Sequence, residues 1–242
     1  MKRLEISLLN TAMDCLMASA ADWQAVWLSL ELAAVTTFVL LLLGTPLAWW
    51  LARTQWRFKF VIETLVALPL VLPPTVLGFY LLIALQPNSF IGQSLESTFG
   101  LSLAFSFTGL VVGSVVYSLP FVVQPLQNAF QNIGQRSLDV AASLGASPID
   151  QFFSIAMPLA KPGFFTAAIL GFAHTLGEFG VVLMIGGSIP GETKVASIAI
   201  YEHVESLMFT QAHVVSLILL LISFVLLALV YAFGQTGRGL KL

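Results

Sequence analysis

Five runs of mostly apolar residues, roughly 26–50, 60–85, 105–128, 163–185 and 213–233, leave this chain few folds to adopt. Each reaches the length of about 20 residues that crosses a bilayer as a helix. Backbone groups in hydrocarbon must be satisfied within the segment, so such runs become helices rather than open strands. The composition agrees: 58% of the 242 residues are hydrophobic and 9% are charged, against about 25% charged in soluble domains. The reading is an all-α membrane protein of about five transmembrane helices. An odd number of spans puts the termini on opposite sides, and basic residues set the direction. Arg53, Arg57, Lys59, Arg136, Lys161, Arg238 and Lys241 share one side, while Lys2, Arg3 and Lys194 lie among the acidic residues of the other. The positive-inside rule then places the N-terminus outside and the C-terminus in the cytoplasm.

Several function classes fall away at once. A net charge of −2 without a basic, aromatic-interleaved run gives no nucleic-acid surface. A single cysteine, Cys15, and three histidines, His174, His203 and His213, offer no metal-ligand spacing. Residues 1–22 are interrupted by Glu5, Asn10 and Asp14, too polar for a cleaved signal, and read as an extracytoplasmic or interfacial surface helix ahead of a permease domain over 23–242. Trp23, Trp27, Trp49, Trp50 and Trp56 bracket the first span as interfacial anchors.

Chemistry concentrates in two spans. The second carries Pro69, Pro73 and Pro74, each of which removes a backbone donor and crowds the preceding turn, so the helix must kink or open. Freed carbonyls at that depth are tolerated against protein or a water-lined cavity, which makes Pro73, Pro74 and Thr75 candidates for a path or gate; a kink that only shapes the bundle is the alternative. The fourth run holds Glu178 deep in an apolar helix, with His174 one turn earlier and Gly177 and Gly180 beside it. An ionisable group there is a functional candidate, although a mutually satisfied His174–Glu178 pair could serve packing alone. In the third span Gly109 and Gly113 form a Gly-x-x-x-Gly pattern that lets helices approach, within a subunit or between subunits.

The most polar internal stretch, about 135–160, reads as two short helices joined at Gly145. Ser137 is placed to cap the first and Gly145 to end it in a left-handed turn. Ser147, Pro148 and Asp150 are three start signals for the second. Ile149, Phe152, Phe153, Ala156 and Met157 recur at helical spacing as one greasy face, and Pro158 and Pro162 are expected to stop it. This resembles the cytoplasmic coupling loop of importer-type ABC permeases, a Glu-Ala-Ala group followed by a glycine and, nine residues on, Ile-x-Leu-Pro. Ala141, Ala142, Gly145, Ile155 and Pro158 are read as its fixed points. Val140 stands for Glu, Met157 for Leu, and Asp139 is the candidate carboxylate.

The strings LPLVLPPTVLGFYLL (68–82), FIGQSLESTFGLSLAFSFTG (90–109) and LGEFGVVLMIGGSIPGETK (176–194) are similar to the molybdate-specific permease subunits of ABC importers, with sulfate and tungstate permeases as near relatives. The resemblance implies a type I importer fold with a cytoplasmic helix-turn-helix coupling loop, located in the cell inner membrane. It implies a homodimer, two cytoplasmic ATPase subunits that carry ATP and Mg²⁺, and an extracytoplasmic molybdate-binding protein. The chain has no G-x-x-x-x-G-K-[ST] and binds no cofactor of its own in this reading. No lysine or arginine lies within a span, so an oxyanion would be met by hydroxyls such as Thr75, Ser114 and Thr175, by backbone groups or by helix N-termini. Coupling falls to Asp139, Ala141, Ala142, Gly145, Asp150, Phe152, Phe153, Ile155 and Pro158, with Phe152 and Phe153 as docking knobs. The rival from another class is a proton-coupled secondary transporter relaying through His174 and Glu178. It predicts inverted repeats, which the sequence does not display, and leaves the loop without a purpose. A membrane-embedded enzyme lacks a nucleophile and base.

Overall fold

The computed structural model describes residues 19–99 and 103–234. The expected interfacial stretch over 1–18, with Cys15, and the closing basic residues Arg238 and Lys241 lie outside the described residues. In chain order the helices are α1 (Ala20–Arg53), α2 (Lys59–Ala67), α3 (Pro74–Leu85), α4 (Phe90–Phe99), α5 (Phe107–Gln131), α6 (Gln135–Ser143), α7 (Pro148–Gln151, continued to Leu159), α8 (Lys161–Leu176), α9 (Gly180–Gly186), α10 (Ala196–Glu205) and α11 (Phe209–Gly234). No strand occurs among the described residues. Helices α1, α5 and α11 are long and apolar enough to cross a membrane, and the number reaches five if each of two bent pairs counts as one span.

Helix α1 begins inside the stretch expected to precede the membrane domain. The Ser19 hydroxyl accepts from the Asp22 amide at 3.1 Å and the Asp22 carboxylate accepts from the Ser19 amide at 3.0 Å, a reciprocal cap that starts the helix at Ala20. Residues 20–22 are therefore the first turn of α1. The core forms where α1, α5 and α8 cross: Leu40, Ala48 and Leu51 meet Val122, Val123, Leu126 and Phe130, with Ala160 and Ala167 beside them. Alanines at these crossings allow the close approach that membrane helices use in place of a hydrophobic drive. By contrast α11 is mostly exposed along its apolar length, as suits a helix facing lipid.

Two of the five runs are not single helices. The second is broken by its prolines: Pro69 sits in a 3₁₀ turn, Pro73 is extended, and Pro74 starts a new helix. The two halves are bent by 110°. The fourth run breaks at 177–179, where Gly177 ends α8 and Phe179 leads into α9. Glu178 thus lies in a break and not within a helix, a correction to the continuous span over 163–185. Gly177 ends α8 at φ −90°, a conformation open to any residue, so the break is set by what packs around it rather than by the glycine. Helix α8 alone is ~24 Å long at 1.5 Å per residue, short of a crossing, and the second bent pair joins it, at 71°, to the loop helix α7.

The two broken segments pack on each other. A Cβ at Gly180 would lie 2.9 Å from the Pro74 Cβ and 3.4 Å from the Thr75 amide nitrogen, so only glycine lets α9 reach the start of α3. Gly180→Ala should cost about 1–3 kcal/mol through overpacking against a rigid ring. The equivalent change at Gly134, where nothing lies within 4 Å, should leave stability near the parent's. Thermal unfolding of the two purified variants checks the difference. Gly113 faces Ile185, whose Cδ1 would be 2.4 Å from an added Cβ, so the glycine pair of the third span serves packing within the subunit.

At the N-terminal end of α1, α10 is tied back to that helix. The Ser29 hydroxyl accepts from the Ala196 amide at 2.8 Å, and His203 Nε2 lies 2.7 Å from the Asp22 carboxylate. Partial burial pushes the Glu202 carboxyl up, but hydrogen bonds from Lys194 and Ser188 and the lysine charge outweigh it and hold the group below its ordinary range.

Candidate functional site

The break at Glu178 opens onto a cavity of about 490 Å³ lined by Pro74, Thr75, Tyr117, Ala173, His174, Gly177, Glu178, Phe179 and Gly180. All of the sequence-derived path residues except Pro73 line it, and Pro73 is the residue preceding α3. The cavity therefore sits where the broken ends of two membrane segments meet. Thr75, in the first turn of α3, lies at the positive end of that helix.

Glu178 is 3% exposed, and both of its oxygens are engaged by α5. The Ser114 hydroxyl donates to Oε2 and the Ser118 hydroxyl to Oε1, each at 2.6 Å. The Ser197 hydroxyl donates to its backbone carbonyl at 2.5 Å. Ser118 also lies 2.8 Å from His174 Nδ1 and 3.0 Å from the Thr175 hydroxyl. A serine has one hydrogen to give. With that hydrogen on Glu178, its oxygen accepts from Thr175 and from His174, which fixes the proton of the imidazole on Nδ1. His174 and Glu178 themselves are 3.6 Å apart, so Ser118 carries the connection that sequence spacing suggested was direct. The imidazole is held flat on Phe121, with ring centroids 3.8 Å apart.

Of the hydroxyls expected to meet an oxyanion, Ser114 and Thr175 are committed to this cluster, and Thr75 is at the cavity wall. Ser118 was missed as the hub. Its signal was present, because Ser114 and Ser118 stand at i and i+4 inside an apolar run and must share a helix face.

The loop over 135–160 folds as the two expected helices, with differences of detail. Gly134, not Ser137, precedes α6, and Ser137 lies inside it. Gly145 adopts φ +90°, and the Gly145 and Ala146 amides close on Ala142 and Ala141 carbonyls at 2.9 and 3.0 Å, the bond pair of a Schellman turn. Ser147 and Asp150 form a capping box at the start of α7. Pro158 does not stop the helix. Residues Phe152–Ala156 form a π-helical turn and the helix continues through Pro158 to Leu159; the wider turn relieves the clash of the ring with the preceding carbonyls. Pro162 begins α8 instead.

The coupling motif also shifts. With three residues between its second alanine and its glycine, Asp139 takes the Glu place and Val140 and Ala141 the alanine pair. Ala141 is buried and Ala142 exposed. Phe152 turns inward, its ring 5.3 Å from Trp49 and 6.0 Å from Phe130, and so anchors the loop rather than projecting from it. Ile155 is half-buried. Arg53 completes the anchor: it stacks over Trp49 and donates to Gln135 Oε1 at 2.7 Å, and Gln135 in turn donates to Asp139 at 2.9 Å. Leu144 is 83% exposed and Val140 is exposed beside it.

Residues 44–237 match the family described as binding-protein-dependent transport system inner membrane component. The chain is 57% identical over 224 residues to the molybdenum transport system permease protein ModB of Azotobacter vinelandii, covering 92% of this chain and 99% of that protein. It is 36% identical over 185 residues to the protein of the same name in Escherichia coli K12, covering 76% and 81%. A bacterial alginate ABC transporter, solved in complex with a periplasmic protein bound to an alginate pentasaccharide, has a chain of like fold, with TM-score 0.72 and 14% identity over 94% of this chain and 83% of that one.

Proposed function

Since the chain belongs to the binding-protein-dependent transport system inner membrane components, we propose that it is the permease subunit of an ATP-driven importer of molybdate. The observation that carries this reading is 57% identity over 92% of the chain to a molybdenum permease. As a transport permease of the inner membrane it is not itself an enzyme. Hydrolysis of ATP with Mg²⁺ belongs to two cytoplasmic ATPase subunits, and molybdate arrives on an extracytoplasmic binding protein. The N-terminus faces outward, and the loop over 135–160 faces the cytoplasm.

The site suits passage rather than tight binding. The cavity offers Thr75 at a helix N-terminus, a setting that favours an oxyanion. The Glu178 charge is turned into α5, where two hydroxyls take it up. The same bonds weaken the proton-relay alternative, since both carboxylate oxygens are already engaged by serine hydroxyls of α5. A homodimer would place the α3 and α9 breaks of both copies at a shared axis, so that each chain supplies half of the path. Docking to the ATPase falls to the exposed side of α6, with Asp139, Val140 and Leu144, next to the Gly145 turn and the Asp150 cap. Phe153 remains exposed on α7.

Uptake of molybdate into vesicles containing the permease, the ATPases and the binding protein tests the assignment. Transport should require ATP, resist collapse of the proton gradient, and be competed by molybdate more strongly than by sulfate or tungstate. Uptake driven by a proton gradient without ATP would overturn it. Leu144→Glu should release the ATPase during copurification, because it sets a charge in the middle of an apolar contact. Phe152→Ala should instead lower the thermal stability of the isolated permease, as the loss of a packed ring predicts.

A further inference from the structure

A second groove, of about 620 Å³, lies between α1 and the loop helix α7, bounded by Leu41, Leu42, Thr45, Pro46, Trp49, Ile149, Phe152, Phe153, Met157 and Phe164 among others. We propose that it binds the acyl chain of an anionic glycerophospholipid from the cytoplasmic leaflet, whose phosphate is met by Lys161.

The chemistry of the walls decides the occupant. Thr45 and Trp49 carry the polar side-chain atoms of the lining, a hydroxyl that already donates to the Leu41 carbonyl at 2.5 Å and one indole N–H. A peptide segment would therefore bury most of its backbone groups against walls that offer them little beyond one indole N–H, at a cost of several kcal/mol each. A hydrocarbon chain has none to bury. The groove opens on the lipid side of α1, where Leu42 is 64% exposed and Phe38 and Leu43 are exposed as well. Leu41 is shared with the lining of a second apolar hollow, bounded by Thr37, Phe38, Phe172 and Leu226. Residues 38 to 49 of a helix rise ~16 Å, about half of a ~30 Å hydrocarbon core, the depth of one leaflet. The headgroup end is set by charge. Lys161, the first residue of α8, stands one turn before the lining residue Phe164 on that helix, is exposed, and pairs with no carboxylate among the described residues. Basic residues at cytoplasmic helix ends recognise anionic lipid in this way. The chain would lie as a wedge between the first span and the loop that meets the ATPase, joining bilayer composition to the angle of that loop.

The inference rests on the importer reading for its sidedness alone, and its test does not depend on uptake. The full permease with its ATPases is reconstituted in vesicles, and phosphatidylglycerol bearing a photoactivatable acyl chain is the probe. Peptides covering 41–49 and 149–157 should be labelled several-fold more than the exposed Leu220–Phe224 side of α11. Leu42→Trp, which fills the groove from an exposed position, should abolish that excess while the complex stays assembled. Lys161→Gln should leave chain labelling with neutral phosphatidylcholine unchanged and cut the preference for phosphatidylglycerol about fivefold, the effect of one basic residue at an anionic surface. Equal labelling of groove and α11, labelling indifferent to Leu42→Trp, or crosslinking of the groove to an ATPase, a second copy or residues 235–242 would each overturn the assignment. If molybdate uptake fails but the labelling pattern holds, the importer reading falls and the lipid site stands.

Discussion

Glu178→Leu is expected to prevent recovery of a stable permease, whereas Glu178→Gln retains the fold and part of the uptake. The leucine deletes the acceptor of two buried hydroxyls, Ser114 and Ser118. Each orphaned donor costs about 1–3 kcal/mol, a large part of a total stability of about 5–15 kcal/mol. It also strips His174 of the charge that its serine relays. Glutamine can be accommodated by reversing one bond. Its oxygen accepts from one serine, its amide donates to Ser118, and the Ser118 hydrogen turns to His174 Nδ1, moving the imidazole proton to Nε2. That change moves the proton of a residue that lines the cavity, so uptake should fall while the protein remains monodisperse. The measurements are size-exclusion recovery and vesicle uptake for both variants. Parent-like recovery of Glu178→Leu would mean that the cluster does not hold the break between α8 and α9. Parent-like uptake of Glu178→Gln at every pH would remove the charge from the mechanism.

The broad architecture was legible because a bilayer permits so little. Apolar length gave α5 and α11 to within a turn of their ends and α1 except for its first six residues, and the prolines announced the break between α2 and α3. The break at Glu178 was not legible, because a glycine next to an ionisable residue in an apolar run reads equally well as a continuous helix and as two. What decides is tertiary: the Gly180 approach to Pro74 and the serines of α5 reward the broken form. Greasy periodicity in α7 marks an apolar face but cannot tell which of its residues are covered or by what: Ile149 and Phe153 stay exposed and Ala156 is buried. Phe152 is covered by Trp49 and Phe130 of its own chain. The π-helical turn at Pro158 likewise depends on where the chain must go next, which a local stop signal does not encode.

Gly145→Val should uncouple transport without impairing insertion. Gly145 has φ +90°, a region in which a β-branched residue is a strong outlier. An added Cβ meets nothing within 4 Å, so the penalty is one of backbone conformation and not of packing. Left-handed conformation costs an ordinary L residue roughly 1–2 kcal/mol, which depopulates the native turn by about 5–30-fold. The two amides that close α6 onto the Ala141 and Ala142 carbonyls depend on that turn, and with it the angle between α6 and α7. Helix α7 is fixed to the bundle through Phe152, while α6 hangs from Arg53 by way of Gln135. A changed angle therefore moves Val140 and Leu144 relative to the membrane domain. Vesicle uptake should drop by the same 5–30-fold, with ATPase activity no longer stimulated by the loaded binding protein. Gly145→Asn, which tolerates left-handed geometry far better, should restore most of both. Normal uptake by Gly145→Val at normal expression would refute the turn as the joint of coupling, and equal loss in the asparagine variant would assign the defect to the side chain rather than to the backbone.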